Sequence, residues 1–160
     1  MIHINVVCVG KIKEKYLKEA IDEYSKRLSK YCKLNIIEIQ DESLPNKINE
    51  NTIEEVKIRE GEKILETLRN SSYIVSLDLK GKQYTSEEFA DKIEKISTRG
   101  FGEISFIIGG TLGLDKRVLN SSNELICFSN MTFPHQLIRV FLLEQLFRSF
   151  KILNNETYHW

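Results

Sequence analysis

The residues best suited to chemistry in this chain lie in its last third. They form two loops, a Gly-Gly-Thr-Leu-Gly loop at residues 109–113 and a segment from Ser129 to Gln136 that contains Pro134 and His135. Glycines let a ligand approach the main chain without a Cβ in the way and leave amides free to bind it. We therefore expect a small-molecule cleft built largely from main-chain atoms. A tight turn with no ligand explains the glycines equally well, and their spacing is not the G-x-G-x-x-G fingerprint of dinucleotide-binding folds.

Three further groups of residues could bind a ligand or take part in catalysis, and each also has a purely structural explanation. His135 follows Pro134 at the expected start of a helix, where the positive helix end disfavours its protonated form. It is a candidate neutral ligand group, although capping the helix explains it as well. Glu144 and Arg148 have the i,i+4 spacing of a helical ion pair. The terminal Tyr158-His159-Trp160 is too aromatic for an ordinary frayed end, so we expect it to pack on a partner or to serve a site.

The apolar pattern predicts the elements that position these groups. Continuous apolar runs, typical of strands buried on both faces, alternate with amphipathic segments of helical period. This alternation predicts an α/β fold with a mostly parallel sheet and helices on both faces, in which ligands bind beyond the carboxyl ends of the strands. The predicted strands are 1–10, 34–39, 72–79, 104–108 and 125–128, and the predicted helices are 13–31, 52–69, 85–98, 115–120 and 134–153.

Short motifs predict where some elements begin and end. Thr52 with Glu55, and Thr85 with Glu88, match the capping box that opens a helix. The Lys-Gly-Lys run at residues 80–82 is predicted to turn the chain after the third strand.

Composition limits the class of protein. The 160 residues are 41% hydrophobic and 29% charged, which indicates one globular domain spanning 1–160. A formal net charge of zero argues against a bulk, non-specific nucleic-acid binder. Cys8, Cys32 and Cys127 form no Cys-x-x-Cys pair, so we expect neither a zinc site nor a disulfide framework. With no membrane-length apolar run and no secretory leader, we expect a cytoplasmic protein.

The last predicted helix is apolar on nearly every side. Such a helix must be covered nearly all round, and in a small protein the usual cover is a second subunit. We therefore predict a symmetric homodimer that packs partly through this helix. Its apolar positions are Leu137, Ile138, Val140, Phe141, Leu142, Leu143, Leu146, Phe147, Phe150 and Ile152.

The same stretches resemble a known family. The runs Phe-Ile-Ile-Gly-Gly-Thr-Leu-Gly-Leu (106–114), Phe-Ser-Asn-Met-Thr-Phe-Pro-His-Gln (128–136) and Glu-Gln-Leu-Phe-Arg-Ser-Phe-Lys-Ile (144–152), with terminal Tyr158-His159, are similar to the RlmH (YbeA-like) group of SPOUT methyltransferases. The opening Val-Gly-Lys-Ile-Lys-Glu-Lys-Tyr (9–16) matches as well, so the resemblance covers essentially the whole chain.

The resemblance implies a fold, a cofactor and a reaction. The fold would carry a C-terminal trefoil knot that binds S-adenosylmethionine, with no metal. The substrate would be N3 of a pseudouridine in 23S ribosomal RNA, and the neutral net charge fits an assembled ribosome rather than naked RNA. The deprotonated ring nitrogen would attack the sulfonium methyl directly. Positions matching the family's cofactor contacts are Leu77, Gly109, Phe128, Ser129, Asn130, Met131, Thr132 and Phe133.

The resemblance also implies where the chemistry is done. The N3 proton is only weakly acidic, so a base or an electrostatic stabiliser of the anion would help. Tyr158 and His159 are the candidates, with the tail closing on a cofactor site, expected to be the partner's. Arg139 and Arg148 would hold RNA phosphate or stabilise charge, although Arg148 is equally explained by its pairing with Glu144.

One departure and two alternatives accompany this interpretation. Trp160 stands where the family usually has a basic residue, and it would stack on a base instead of contacting phosphate. A ribosome-binding protein without activity would keep the fold, and a SPOUT enzyme acting on tRNA would keep the chemistry. The cofactor loops argue against the first alternative, and the terminal residues argue against the second.

Overall fold

The computed structural model describes residues 1–160, which form five strands and five helices in strict alternation. The elements are β1 (Ile2–Val9), α1 (Lys15–Leu28), β2 (Cys32–Ile39), α2 (Glu50–Thr67), β3 (Tyr73–Lys82), α3 (Ser86–Thr98), β4 (Glu103–Ile108), α4 (Lys116–Ser121), β5 (Glu124–Ile126) and α5 (His135–Leu153). None of the helices is long and apolar enough to span a membrane.

The strands form one parallel sheet in the order β2-β1-β4-β3-β5. Side chains alternate between its faces: Val6 and Cys8 of β1 face a core shared with α1, α3 and α5, whereas Val7 and Val9 face a smaller core shared with α2 and α4. Helices therefore cover both faces, and the predicted α/β class is confirmed. Because the strands are parallel, all their carboxyl ends lie at one edge of the sheet.

The last helix, α5, lies between α1 and α3 on the larger core. Leu142, Leu143 and Leu146 are fully buried there, whereas Phe141 stays 36% exposed. Neighbouring helices thus cover much of the apolar surface of α5 within one subunit. The predicted homodimer stays a prediction.

The predicted turn at residues 80–82 is wrong as an end of the third strand. β3 continues to Lys82, and Leu77 and Lys82 both pair with Ile126 of β5, so the residues between them leave the regular register. Gly81 permits this, because a Cβ there would come within 2.5 Å of the Ile126 carbonyl carbon. The Lys-Gly-Lys run therefore marks an irregular strand rather than a break between elements.

The two predicted capping boxes have different outcomes. The box at Thr85 and Glu88 is confirmed: the Glu88 N–H donates to Thr85 Oγ1 (3.1 Å), and the Thr85 N–H donates to Glu88 Oε2 (2.9 Å). The box at Thr52 is wrong, because α2 begins earlier. Asn49 caps the helix there, and Thr52 is its reciprocal partner in the first turn. Asn and Thr both suit such positions, so the pattern alone does not choose between them.

Candidate functional site

A cleft of about 790 Å³ opens beyond the carboxyl ends of β3, β4 and β5. The glycine loop at residues 109–113 forms one side, and the segment after β5 together with the start of α5 forms another. Of the predicted cofactor-contacting residues, those lining the cleft are Leu77, Gly109, Phe128, Ser129, Met131, Thr132 and Phe133. Asn130 is not in the lining, and its Oδ1 instead accepts a hydrogen bond from Gln83 Nε2 (2.8 Å).

The glycine loop is both a tight turn and a wall of the cleft. Gly113 has φ +87°, a left-handed conformation that disfavours other residues, and its N–H donates to the Gly110 carbonyl (3.1 Å). A Cβ on Gly109 would lie 3.0 Å from the Gly113 carbonyl carbon and from Leu114 Cγ. The two explanations weighed for these glycines are therefore compatible, because the turn is what shapes the cleft.

The segment that follows β5 presents unpaired main-chain donors. The N–H groups of Phe128, Ser129 and Thr132 donate no hydrogen bond within the chain. The segment is held by its own side chains instead: Ser129 Oγ accepts from the Met131 N–H (3.1 Å), and Cys127 Sγ donates to the Ser129 carbonyl (2.9 Å). Leu77, Phe128 and Phe133 provide apolar walls. The cleft thus suits a planar, partly apolar ligand whose polar edge binds main-chain groups.

His135 lines the cleft at the first residue of α5, after Pro134 as the N-cap. Burial, and next the nearby Arg139 guanidinium, lower the pKa of this imidazole. The direction agrees with the expectation that its charged form is disfavoured, but the causes are burial and Arg139 rather than the helix end. His135 therefore offers the cleft a neutral hydrogen-bonding group.

Arg139 is not available to RNA, so that expectation is wrong. Arg139 is only 1% exposed to solvent. Its Nη2 donates to the Val9 and Gly10 carbonyls (3.0 and 2.6 Å), and its Nη1 donates to Glu38 Oε2 (2.9 Å). These contacts tie the start of α5 to the end of β1 and so help to position the cleft.

The three predicted catalytic residues lie together, away from the cleft, in what we call the tail cluster: Glu87, Glu144, Arg148, Tyr158 and His159. Arg148 Nη2 donates to Glu144 Oε1 (2.6 Å), as does the Tyr158 hydroxyl (3.2 Å). The Arg148 guanidinium also lies 4.8 Å from the centre of the Tyr158 ring. His159 Nδ1 is 3.1 Å from Arg148 Nη1, and His159 Nε2 is 2.6 Å from Glu87 Oε1.

The tail is packed rather than frayed. The Tyr158 ring meets Phe147 edge to face, with ring centres 4.9 Å apart. Burial, and next the Glu144 carboxylate, raise the pKa of the Tyr158 hydroxyl, which keeps it protonated as a donor. Trp160 is 97% exposed and makes no such contact.

A second cavity of about 310 Å³ adjoins the cleft. It shares Phe128, Ser129 and Phe133 with the cleft and is also lined by Gln145. Gln145 Nε2 donates to Glu144 Oε2 (3.1 Å). A chain of contacts thus leads from the wall of the cleft to the tail cluster, although none of Arg148, Tyr158 or His159 lines either cavity.

Sequence reasoning missed Glu87 and Gln145. Glu87 is an acidic residue in the first turn of α3, where the helix dipole alone explains it. Gln145 follows Glu144 directly but has no pattern of its own. Only the packing of α3 against α5 brings both toward the tail. The cluster brings together a cation and an imidazole in hydrogen-bond contact and a phenol joined to the same cation through Glu144. These are groups that proton transfer or anion stabilisation requires.

Comparisons with known proteins identify the family to which this chain is similar. The family described as "Predicted SPOUT methyltransferase" matches residues 2–159. The protein named "Ribosomal RNA large subunit methyltransferase H" from Clostridium acetobutylicum is 55% identical over 157 residues, which cover 98% of this chain and 99% of that protein. Its namesake from Clostridium beijerinckii is 52% identical over the same shares of the two chains. Among solved structures, a probable methylase family protein from Haemophilus influenzae Rd KW20 matches with a TM-score of 0.54 and 14% identity, over 98% of this chain and 70% of that one, which supports the fold alone.

Proposed function

The chain belongs to the SPOUT methyltransferase family, and we propose that it uses S-adenosylmethionine to methylate N3 of a pseudouridine in 23S ribosomal RNA of the assembled ribosome. The resemblance to the RlmH group is confirmed by the matches over nearly the full length. We infer that residues 1–160 act as one SPOUT methyltransferase domain, in the cytoplasm where ribosomes are found. The C-terminal knot implied by the resemblance belongs to the same proposal.

The observation that carries the proposal is the cleft itself. Its volume lies in the range of small-molecule sites, and 12 of its 24 lining residues are hydrophobic. The N–H groups of Phe128, Ser129 and Thr132 have no partner within the chain. A purine edge suits the main-chain groups of such a site, and the purine faces suit its apolar side chains. When bound, S-adenosylmethionine supplies an electrophilic methyl group on sulfur. The chain's part is to bind it through Leu77, Gly109 and residues 128–133, with Asn130 holding the loop through Gln83.

We propose that the tail cluster assists removal of the N3 proton and stabilises the negative charge that then remains on the ring. Arg148 is a permanent cation that can stabilise an anionic ring, while Tyr158 and His159 can donate or accept hydrogen bonds. Tyr158 and His159 line neither cavity of their own subunit. This supports a homodimer in which the tail of one subunit completes the cleft of its partner, with the exposed Phe141 on the shared surface.

Methylation of ribosomes tests the reaction and the substrate together. The protein is incubated with methyl-labelled S-adenosylmethionine and ribosomes that lack the modification, and the label is mapped by mass spectrometry, with naked 23S RNA and tRNA in parallel. We expect label on N3 of a pseudouridine in assembled ribosomes. Label on tRNA alone would overturn the substrate. Cofactor binding without label on any RNA would favour a ribosome-binding protein without activity.

Mixed dimers test which subunit supplies the tail. A Gly109→Val chain, with an impaired cleft, is combined with a chain truncated after Thr157, and heterodimers are purified through two affinity tags. If each tail serves the partner's cleft, the intact tail of the first chain completes the intact cleft of the second, and activity returns although both homodimers are inactive. Inactive heterodimers would show that the tail serves its own subunit.

A further inference from the structure

Both ring nitrogens of His159 are engaged, each by a group of different chemistry. Nδ1 lies 3.1 Å from Arg148 Nη1, and Nε2 lies 2.6 Å from Glu87 Oε1. The imidazole side chain is 24% exposed, so it is largely enclosed. The ring is thereby held between α5 on one side and the first turn of α3 on the other.

These contacts determine which nitrogen carries the proton. A guanidinium has only donors, so Nδ1 must accept from Arg148 and therefore has no hydrogen. In a neutral imidazole the hydrogen is then on Nε2, which donates to the Glu87 carboxylate. While both contacts stand, neither nitrogen is free to accept a further proton. The arrangement fixes the direction and tautomer of the ring rather than preparing it as a base.

One partner of His159 is itself held in place, and the other is kept ionised. Arg148 is held by Glu144 and lies over the Tyr158 ring. The hydrogen bond from His159 also lowers the pKa of the Glu87 carboxyl, so this group stays an ionised acceptor. A continuous path of side chains therefore runs from Glu144 on α5, through Arg148 and His159, to Glu87 on α3.

We propose that Glu87 is a positioning residue, which together with Arg148 locks His159 as its Nε2–H tautomer and so sets the path of the terminal tail before substrate binds. The proposal rests on the proposed function only for its effect on methyl transfer. Glu87 itself touches no part of the cleft. Its role is to give the tail one conformation where an exposed chain end would otherwise have many.

The chain offers a set of variants that isolates the acceptor. Glu87→Gln keeps a carbonyl oxygen that can accept from Nε2–H, whereas Glu87→Lys offers only donors. In Glu87→Lys both ring nitrogens would face donors, which neither neutral tautomer can satisfy. The matched control is Glu94→Lys, since Glu94 is an exposed residue of α3 with no side-chain hydrogen bond or ion pair.

Nitrogen-15 NMR of histidine-labelled protein, at mildly alkaline pH, reads the tautomer directly. The chain has three histidines, and the His159 signals are assigned by their loss in His159→Gln. We expect a single Nε2–H tautomer in the wild type, in Glu87→Gln and in Glu94→Lys, and mixed tautomers in Glu87→Lys. An Nδ1–H tautomer in the wild type, or an unchanged tautomer in Glu87→Lys, would overturn the proposal.

Kinetics supplies the second readout. In Glu87→Lys we expect kcat for methyl transfer to fall about tenfold with KM for the cofactor unchanged, the scale seen when a partner that orients a functional histidine is lost. Glu87→Gln and Glu94→Lys should stay close to the wild type. Equal kcat in Glu87→Lys and Glu94→Lys would refute the positioning role. If the wild-type protein methylates no RNA but His159 has the expected tautomer, the proposed function is wrong, whereas the positioning of His159 by Glu87 and Arg148 is still supported.

Discussion

The two halves of α5 use the same residue type for opposite purposes. In the first half, Arg139 is 1% exposed and is bound to main-chain carbonyls at the end of β1. In the second half, the Arg148 side chain is 26% exposed and is bound to Glu144 and His159. Both arginines lie on one helix, nine residues apart, and the sequence offered the same interpretation for each.

The difference follows from what surrounds each guanidinium. An arginine that is buried and whose Nη groups donate to carbonyls is out of reach of a ligand, although Nε of Arg139 has no partner. Its loss leaves unpaired acceptors in the interior. An arginine bound by side chains at a partly open surface can exchange those partners for a substrate. The first half of α5 therefore helps to position the cleft, and the second half carries the residues that we propose act on the partner's cleft.

The largest expected effect is on stability. Arg139→Met should lower the free energy of unfolding by about 3 kcal/mol, because the Val9 and Gly10 carbonyls lose their donors in a buried place. Arg148→Met should lower it by no more than about 1 kcal/mol, since its partners are reached by water. Urea denaturation of both variants checks this, and equal losses would contradict the contrast between the two halves.

In activity, Arg148 rather than Arg139 is expected to act directly. Arg148→Met should reduce kcat for methyl transfer about 100-fold, the usual scale for removing one stabiliser of developing charge. Cofactor affinity should not change, because Arg148 does not line the cleft. Labelled-methyl transfer and calorimetry measure the two quantities. Arg69→Met is the control, since Arg69 is exposed and its side chain is unpaired, and a comparable loss there would show that general positive charge matters instead.

A smaller change tests the cleft side alone. Gly109→Ala should weaken S-adenosylmethionine binding about tenfold, because the added Cβ would press on Gly113 and Leu114 at 3.0 Å and shift the loop. Gly102→Ala is the matched control, since a Cβ there meets no atom within 4 Å. Isothermal titration gives both affinities. Equal affinity of the two variants for S-adenosylmethionine would show that the loop at Gly109 does not form part of the binding site.

The smallest effect concerns a carboxyl buried behind the glycine loop. Burial raises the pKa of Glu60, whose Oε2 accepts from the Glu42 N–H (3.1 Å). Because the pKa of this carboxyl is higher in the folded protein than in the unfolded chain, folding disfavours its ionised form. The free energy of unfolding therefore falls as the pH rises from about 4 through the pKa of the folded state. Glu60→Gln cannot ionise, so its free energy of unfolding should not fall in this way. It should exceed that of the wild type by up to about 1 kcal/mol at neutral pH and by little at acid pH.

Chemical denaturation at several pH values measures the Glu60 effect. Exposed Glu66→Gln, on the same helix, should follow the wild type at every pH. A constant difference between Glu60→Gln and the wild type at all pH values would assign the effect to packing instead of ionisation.

Much of the cleft was predictable because it depends on local rules. Glycines at 109, 110 and 113 and a proline at 134 favour turns, and parallel strands must bring their carboxyl ends together. The errors arose where two residues satisfy the same local rule. Asn49 and Thr52 can each begin a helix, and a Lys-Gly-Lys run can either end a strand or bend it.

The sequence by itself determined the alternation of strands and helices, the parallel sheet, the loops of the cleft and the family resemblance, because periodicity, turn residues and motifs are properties of neighbours along the chain. The tertiary structure alone decided which arginine is buried, that Glu87 meets His159 across 72 residues, and that the tail cluster lies away from the cleft of its own subunit. Burial and long-range partners depend on how α3 and α5 pack together on the sheet. No local pattern around Arg139, Arg148 or Glu87 encodes that packing.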